Sequence, residues 1–158
     1  RLVQGGKEIV LGIDNTFSYH KHNIDKKLDM VVSRKRFDTQ LRSLRREPVT
    51  ELVRMGKSIE WESADYEFIG MAYFSREGSR TLREVYDECL TRVSGPFHEA
   101  DSFQCAGITD MLQELVDRGF LVHGLEVYKG WREIHTREDV EVAEAEVTAP
   151  SPSVLPIR

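Results

Sequence analysis

Short apolar runs separated by helix-like segments restrict the fold of this chain more than any other feature. Runs rich in β-branched and aromatic residues, bounded by turn residues, are typical of buried strands. Such runs occupy residues 8–13, 28–33, 68–74 and 120–127, whereas residues 49–59 alternate apolar and polar positions as one or two edge strands would, with a turn at Gly56. Because strands that alternate with helices favour an α/β protein, we predict an α/β fold with a mixed sheet flanked by helices.

Three segments have the apolar spacing or the capping residues of helices. The first covers residues 76 to about 91, and its apolar face would comprise Leu82, Val85, Tyr86 and Cys89. Thr109 would cap the second helix, and Gly119 would stop it. Thr136 would cap the third, with acidic residues in its first turn, where the helix dipole favours them.

The composition is that of an ordinary globular protein and argues against several classes of function. With 158 residues the chain suits one domain, which we place at residues 1–146, followed by a Pro-rich linker or tail at 147–158. A net charge of −5 argues against binding to nucleic acid, although a few Lys and Arg residues would suffice for a small anionic substrate. No apolar run is long enough for a membrane span, so no membrane partner is predicted.

The two cysteines, Cys89 and Cys105, form no Cys-x-x-Cys pair, so the sequence suggests neither a disulfide framework nor a zinc site. Isolated thiols in an α/β chain are usually buried packing residues. This use of cysteine, together with the lack of a signal-peptide pattern, favours a cytoplasmic location.

An acid ahead of a glycine-containing strand marks the first candidate site. Glu67 precedes an apolar run, and Gly70 lies within it. Ligands of open α/β sheets bind beyond strand ends, and a glycine in a strand lets a ligand approach the backbone closely. A loop acid and a glycine tolerated for packing would explain the same residues, and this cluster alone favours that simpler interpretation.

Two further clusters lie at residues 95–101 and 108–113. His98, Glu99 and Asp101 share a loop and could bind a metal or exchange protons, although an ordinary solvated loop explains them about as well. Asp110 follows Thr109 at the start of a predicted helix, and helix capping alone would account for both residues.

The segment KGWREIHT at residues 129–136 is the most site-like part of the chain, because basic, acidic and imidazole groups follow one another just after a strand. Lys129 or Arg132 could neutralise a phosphate or a phosphonate. Glu133 or His135 could bind a divalent cation that bridges phosphates. A lone Glu or His in a loop is usually structural or solvated. The prediction of a site therefore depends on how many charged and imidazole groups this short segment contains.

Three motifs occur in the chain in a fixed order: E-F-I-G at 67–70, I-T-D-M-L-Q at 108–113 and G-W-R-E-I-H-T-R-E-D at 130–139. In this order they resemble the second half of nucleotidyltransferases with a glycosyltransferase-A-like fold. The segment G-P-F-H-E-A at 95–100 makes the chain look closest to the nucleotidyltransferases associated with phosphoenolpyruvate mutase in phosphonate metabolism. The resemblance runs from about residue 8 to about residue 145.

The resemblance implies the C-terminal part of a Rossmann-like glycosyltransferase-A-type fold. It places on the substrate-binding side Glu67, Gly70, His98, Glu99 and Arg132. Lys129 would lie near the anionic group of the acceptor, and Asp110 would be a second catalytic group. Glu133 stands where the superfamily usually has its second metal-binding acid, and His135 stands where some choline-type relatives have an Asp, so either residue would bind Mg²⁺.

The resemblance further implies transfer of a nucleoside monophosphate from a nucleoside triphosphate, with CTP favoured, to a phosphonate or phosphate acceptor. Nothing in the chain fits the Gly-rich triphosphate-binding loop of these enzymes. About the first hundred residues of such a domain would therefore lie outside this sequence, this chain alone would be inactive, and fusion to further domains would be common in this branch. A non-catalytic binding or regulatory module and a sugar-1-phosphate nucleotidyltransferase are the alternatives, and a glycosyltransferase would be expected to show a D-x-D motif.

Overall fold

A computed structural model describes residues 7–16, 27–34, 49–128, 130–134 and 136–148. Within these residues the chain is a mixed α/β protein with five strands and three α-helices. The strands are β1 (Ile9–Asp14), β2 (Met30–Ser33), β3 (Val49–Gly56), β4 (Tyr66–Phe74) and β5 (Val122–Val127). The helices are α1 (Arg76–Arg92), α2 (Ile108–Asp117) and α3 (Arg137–Thr148). Each predicted strand and helix therefore overlaps an observed one, and residues 49–59 supply a single strand that ends at Gly56.

The sheet closes on itself in the order β1-β4-β2-β3-β5, so that β5 returns to β1. β5 runs parallel to β1, and the other neighbours are antiparallel. The predicted mixed sheet is confirmed, but it forms a closed barrel. The prediction of edge strands at 49–59 is wrong, because β3 pairs with β2 on one side and with β5 on the other. The alternating sequence of β3 therefore does not mark a free edge.

One transverse row of paired residues crosses all five strands near the end of β1. Asp14 pairs with Val127 on one side and with Glu67 on the other, Glu67 pairs with Met30, and Met30 pairs with Gly56. We call these five residues the strand-end row. Partners in such pairs place their side chains on the same face of the sheet. The row therefore brings together chain segments that are far apart in sequence.

The main hydrophobic core lies between the sheet and the first two helices. Ile9, Leu11 and Ile13 supply it from β1, and Leu112 and Leu115 supply it from α2. Each fully buried side chain of this kind contributes about 1.5–3 kcal/mol to folding. On α2 Met111, Leu112 and Leu115 are buried, and on α1 Val85 and Cys89 are buried whereas Tyr86 is exposed.

The helix ends confirm the predicted cap at Thr136 and correct the one predicted at Thr109. The hydroxyl of Ser75 accepts from the N–H of Gly78 at 3.0 Å, and that of Thr136 accepts from the N–H of Asp139 at 3.2 Å. The predicted cap at Thr109 is wrong, because α2 already begins at Ile108. The acceptor at this helix start is the Asp110 carboxylate, which takes the N–H of Gly107 at 2.8 Å. The hydroxyl of Thr109 therefore does not cap its own helix and bonds another part of the chain.

The two cysteines differ in environment. Cys89 is buried in the main core, as expected, whereas Cys105 is exposed at the end of a short 3-10 turn, so the packing role predicted for Cys105 is wrong. Among the described residues, no helix combines the length and the apolar character that crossing a membrane requires.

Candidate functional site

A buried pair of carboxylates, Asp14 and Glu67, lies in the middle of the strand-end row, and we call it the acid pair. Asp14 is fully buried and Glu67 is 3% exposed. One oxygen of Asp14 accepts the backbone N–H and the hydroxyl of Thr16, each at 2.7 Å, and the other accepts the indole N–H of Trp131 at 2.5 Å. Buried carboxylates are costly unless they are hydrogen-bonded or paired with a cation. The hydrogen bonds to Asp14 offset this cost at this end of the sheet.

Asp14 was not chosen as a candidate site residue from the sequence. The available signal was an acid directly after a buried apolar strand. Trp131 belongs to the motif G-W-R-E-I, so its bond to Asp14 attaches that motif to the end of β1. The motif containing Glu67 begins β4, directly beside Asp14.

The third motif is attached to the same region through Asp29. The backbone carbonyl of Asp29 accepts the N–H of Phe68 at 2.8 Å. The carboxylate of Asp29 accepts the hydroxyl of Thr109 at 2.7 Å. I-T-D is therefore linked to E-F-I-G by a single intervening residue.

The remaining groups of the 129–136 segment are only partly described. Lys129 and His135 lie outside the described residues. Arg132 directs its guanidinium to the carboxylate of Glu146 on α3, with Nε 3.1 Å from one oxygen and a second, shorter bond to the other. Glu133 is exposed two residues beyond Trp131.

Gly70 lies at a distortion of β4, and the space next to its backbone is open. Its φ is +77°, and the pairing with β1 shifts register between Leu11 and Ile13, opposite this part of β4. The left-handed φ explains the glycine, since residues with a side chain rarely adopt it. No heavy atom lies within 4 Å of the position that a Cβ would take.

A second cluster joins three of the predicted residues, His98, Glu99 and Asp110. The backbone N–H of Glu99 donates to Asp110 at 3.0 Å. The carboxylate of Glu99 accepts from the backbone N–H groups of Lys57 and Ser58, at 2.7 and 3.0 Å, and from the hydroxyl of Ser58 at 2.5 Å. Burial raises the pKa of Glu99, but these hydrogen bonds outweigh burial and hold the pKa below its usual value.

His98 fixes the same loop to α2. Its ring Nε2 lies 2.8 Å from a carboxylate oxygen of Glu114, and its ring packs edge-on against Phe97 at 4.5 Å. Burial raises the pKa of Glu114, but hydrogen bonds from Arg118 and His98 outweigh it, so that the pKa lies below its usual value. His98 has a φ of +51°, and its bond to Glu114 stabilises this uncommon conformation.

Two cavities, of about 390 and 440 Å³, lie against this cluster. Both are lined by Ser58, Glu99, Thr109 and Asp110. The smaller also reaches His98 and Gln113, and the larger reaches Lys27, Asp29 and Cys105. Neither is lined by Glu67, Gly70, Arg132 or Glu133. The structure thus gathers His98, Glu99 and Asp110 around the cavities and leaves the other described candidates outside them, with Thr109 and Asp29 as the link.

Among the described residues, no group of three or more His, Cys, Asp or Glu side chains is arranged to hold a metal ion. Magnesium in nucleotide-using sites is commonly held by one or two carboxylates together with substrate phosphates, so carboxylate chemistry such as that of Glu133 suits it.

Comparison with protein-family models gives no match, and comparison with curated proteins gives no significant match. The function therefore has to be argued from the motifs and from the contacts described above.

Proposed function

We propose that this chain supplies the acceptor side of a magnesium-dependent nucleotidyltransferase of the glycosyltransferase-A-like type. The reaction would move a nucleoside monophosphate, with cytidylyl favoured, from a triphosphate to a phosphonate or phosphate oxygen, with release of pyrophosphate. The proposal would also make the closed sheet the counterpart of the second half of a Rossmann-like domain.

The observation that carries the proposal is a chain of contacts that connects the three motifs, although Glu67 and Glu133 do not line the cavities that Asp110 lines. Glu67 of E-F-I-G pairs with Asp14, and Trp131 of G-W-R-E-I donates to the same Asp14. Thr109 of I-T-D reaches the neighbouring strand through Asp29. A common site requires the motifs to be connected, and these contacts meet that requirement.

The chemistry of the proposed reaction matches the side chains at hand. A phosphonate or phosphate oxygen is already ionised near neutral pH, so its attack on the α-phosphate needs no strong general base. Catalysis then depends on alignment and on neutralisation of charge. A bound Mg²⁺ would supply much of that neutralisation, and Glu133 or His135 would hold it.

A non-catalytic binding module is the second candidate, and one observation favours it. Glu99, His98 and Arg132 each make intramolecular hydrogen bonds with partners of their own. Side chains engaged in this way stabilise loops and are not poised to contact a substrate. Such a module would bind an anionic ligand without turning it over.

Activity distinguishes the two candidates. The protein would be expressed in its natural reading frame, including any upstream coding sequence, and pyrophosphate release from CTP would be measured with Mg²⁺ and a panel of alkylphosphonates and alkyl phosphates. We expect release that Glu67→Gln reduces at least tenfold, while Glu62→Gln, a change at an exposed nearby acid, leaves it intact. A folded protein that binds an acceptor but releases no pyrophosphate with any of them would support the binding module and reject the enzyme.

A further inference from the structure

The Glu99 carboxylate occupies a set of donors with the geometry of an anion site. It accepts from two consecutive backbone N–H groups, those of Lys57 and Ser58, and from the Ser58 hydroxyl, at 2.5–3.0 Å. Consecutive N–H groups in a turn form a concave nest that binds phosphate and other anions. We call Gly56, Lys57 and Ser58 the turn nest. The donor groups lie directly after β3, and the carboxylate that accepts from them, that of Glu99, belongs to a different loop.

Gly56 shows how closely the carboxylate approaches the turn nest. A Cβ at this position would lie 2.2 Å from one oxygen of Glu99 and 2.9 Å from its carboxyl carbon. The missing side chain therefore leaves room for an oxyanion directly over the backbone, as in glycine-containing phosphate-binding loops.

Three cationic residues line the two cavities beside the turn nest. Lys27 and Lys57 line the larger cavity, and Arg54 lines the smaller one. Within the described part of the chain, the side-chain charges of these residues form no salt bridge. These cations line the cavities together with the carboxylates of Asp29, Asp110 and Asp117, and Glu99 is the carboxylate that directly occupies the turn nest.

We propose that the turn nest binds a phosphate-class oxyanion and that Glu99 is an internal competitor, which leaves the nest when the ligand enters. This role differs from direct substrate binding by Glu99, because a carboxylate repels the anionic group of such a ligand. It is independent of the nucleotidyltransferase proposal, since it depends only on the contacts of residues 54–58 and 99.

An internal competitor sets the affinity of the site. A tethered carboxylate acts at an effective concentration in the millimolar range or above, so free phosphate displaces it only at comparable concentrations. Asp29 and Asp110 also line the larger cavity and repel an anion. Binding to the unmodified protein is therefore weak, and removal of Glu99 strengthens the apparent affinity about tenfold or more.

Titration with inorganic phosphate at constant ionic strength, followed by the backbone amide resonances of Lys57 and Ser58, tests the proposal. Glu99→Ala removes the competitor, and Glu99→Gln neutralises it with little change of shape. Glu62→Ala is the matched control, because it removes the same charge from an exposed position with no hydrogen bond or ion pair among the described residues. Each variant is first checked for a native amide spectrum.

We expect the two amide resonances of Glu99→Ala to shift at phosphate concentrations at least tenfold lower than in the unmodified protein. Glu62→Ala should need the same concentrations as the unmodified protein. Lys57→Gln in the Glu99→Ala background should then weaken the effect. No shift at Lys57 and Ser58 in both Glu99 variants would overturn the proposal, and so would an equal gain in Glu62→Ala, which would show a general effect of net charge.

Discussion

At the scale of single residues, Glu99 stabilises the protein only while it is ionised. Hydrogen bonds from residues 57 and 58 outweigh burial and lower its pKa in the folded state. A group with a depressed folded pKa adds stability above its unfolded pKa, and this stability is lost as the pH falls through the folded value. We expect Glu99→Gln to lower the free energy of unfolding by about 1 kcal/mol at neutral pH and by much less near pH 3. Urea denaturation at both pH values measures the difference.

The control for this prediction is Glu62→Gln, which changes an acid that makes no hydrogen bond or ion pair among the described residues. Its effect should be small at both pH values. If Glu99→Gln cost the same near pH 3 as at neutral pH, the stabilisation would come from shape and not from charge.

Single-residue roles were predictable where the partner is close in sequence. The cap at Thr136 acts on a residue three positions away, and it was predicted correctly. Thr109 bonds a residue 80 positions away, and Asp14 bonds one 117 positions away. Such partners are set by how the strands pair, which a local pattern does not contain, and this is why the cap at Thr109 was wrong and Asp14 was missed.

At the scale of elements, α1 packs so closely on the start of β1 that its first turn needs a glycine. A Cβ on Gly78 would lie 2.4 Å from the carbonyl oxygen of Glu8, which also accepts the N–H of Ser75 at 2.8 Å. Gly78→Ala should therefore lower the free energy of unfolding by about 1–3 kcal/mol, although Ala is the better helix former. Chemical denaturation checks this against Ser79→Ala on the exposed side, which should be neutral or slightly stabilising. Stabilisation by Gly78→Ala would contradict the packing.

Thr109 connects α2 to β2 in place of capping its own helix. Its hydroxyl donates to Asp29 at 2.7 Å, and Asp29 in turn holds the N–H of Phe68. Thr109→Val keeps the shape but leaves a partly buried carboxylate without this donor, so we expect a loss of about 1–3 kcal/mol. Thr109→Ser keeps the hydroxyl and should cost clearly less in the same denaturation experiment. A loss in Thr109→Val no larger than that in Thr109→Ser would contradict a stabilising role of the bond from the hydroxyl to Asp29.

At the scale of the whole molecule, closure of the sheet is the feature that the sequence could not provide. The apolar runs indicated strands, and their positions were predicted well because burial and β-branching are local. The parallel pairing of β1 with β5 joins residues more than a hundred positions apart, as in the pair of Ile9 with Val122. Neither the partner nor the direction is encoded in either strand alone, so the strand order, and with it the strand-end row, became visible only in the structure.

Gly124 tests whether this closure stabilises the whole domain. It lies where β5 meets β1 and β3, and a Cβ there would lie 2.3 Å from the terminal methyl of Ile13 and 3.0 Å from a methyl of Leu52. Gly124→Ala should force the strands apart and cost about 1–3 kcal/mol, and Ile13→Val alone should cost about 0.5–1.5 kcal/mol. Ile13→Val removes the methyl that is overlapped, so the double variant should lose less than the sum of the single losses. Urea denaturation of the four proteins measures this coupling, and additive losses would contradict the expected overlap between a Cβ at position 124 and the methyl of Ile13.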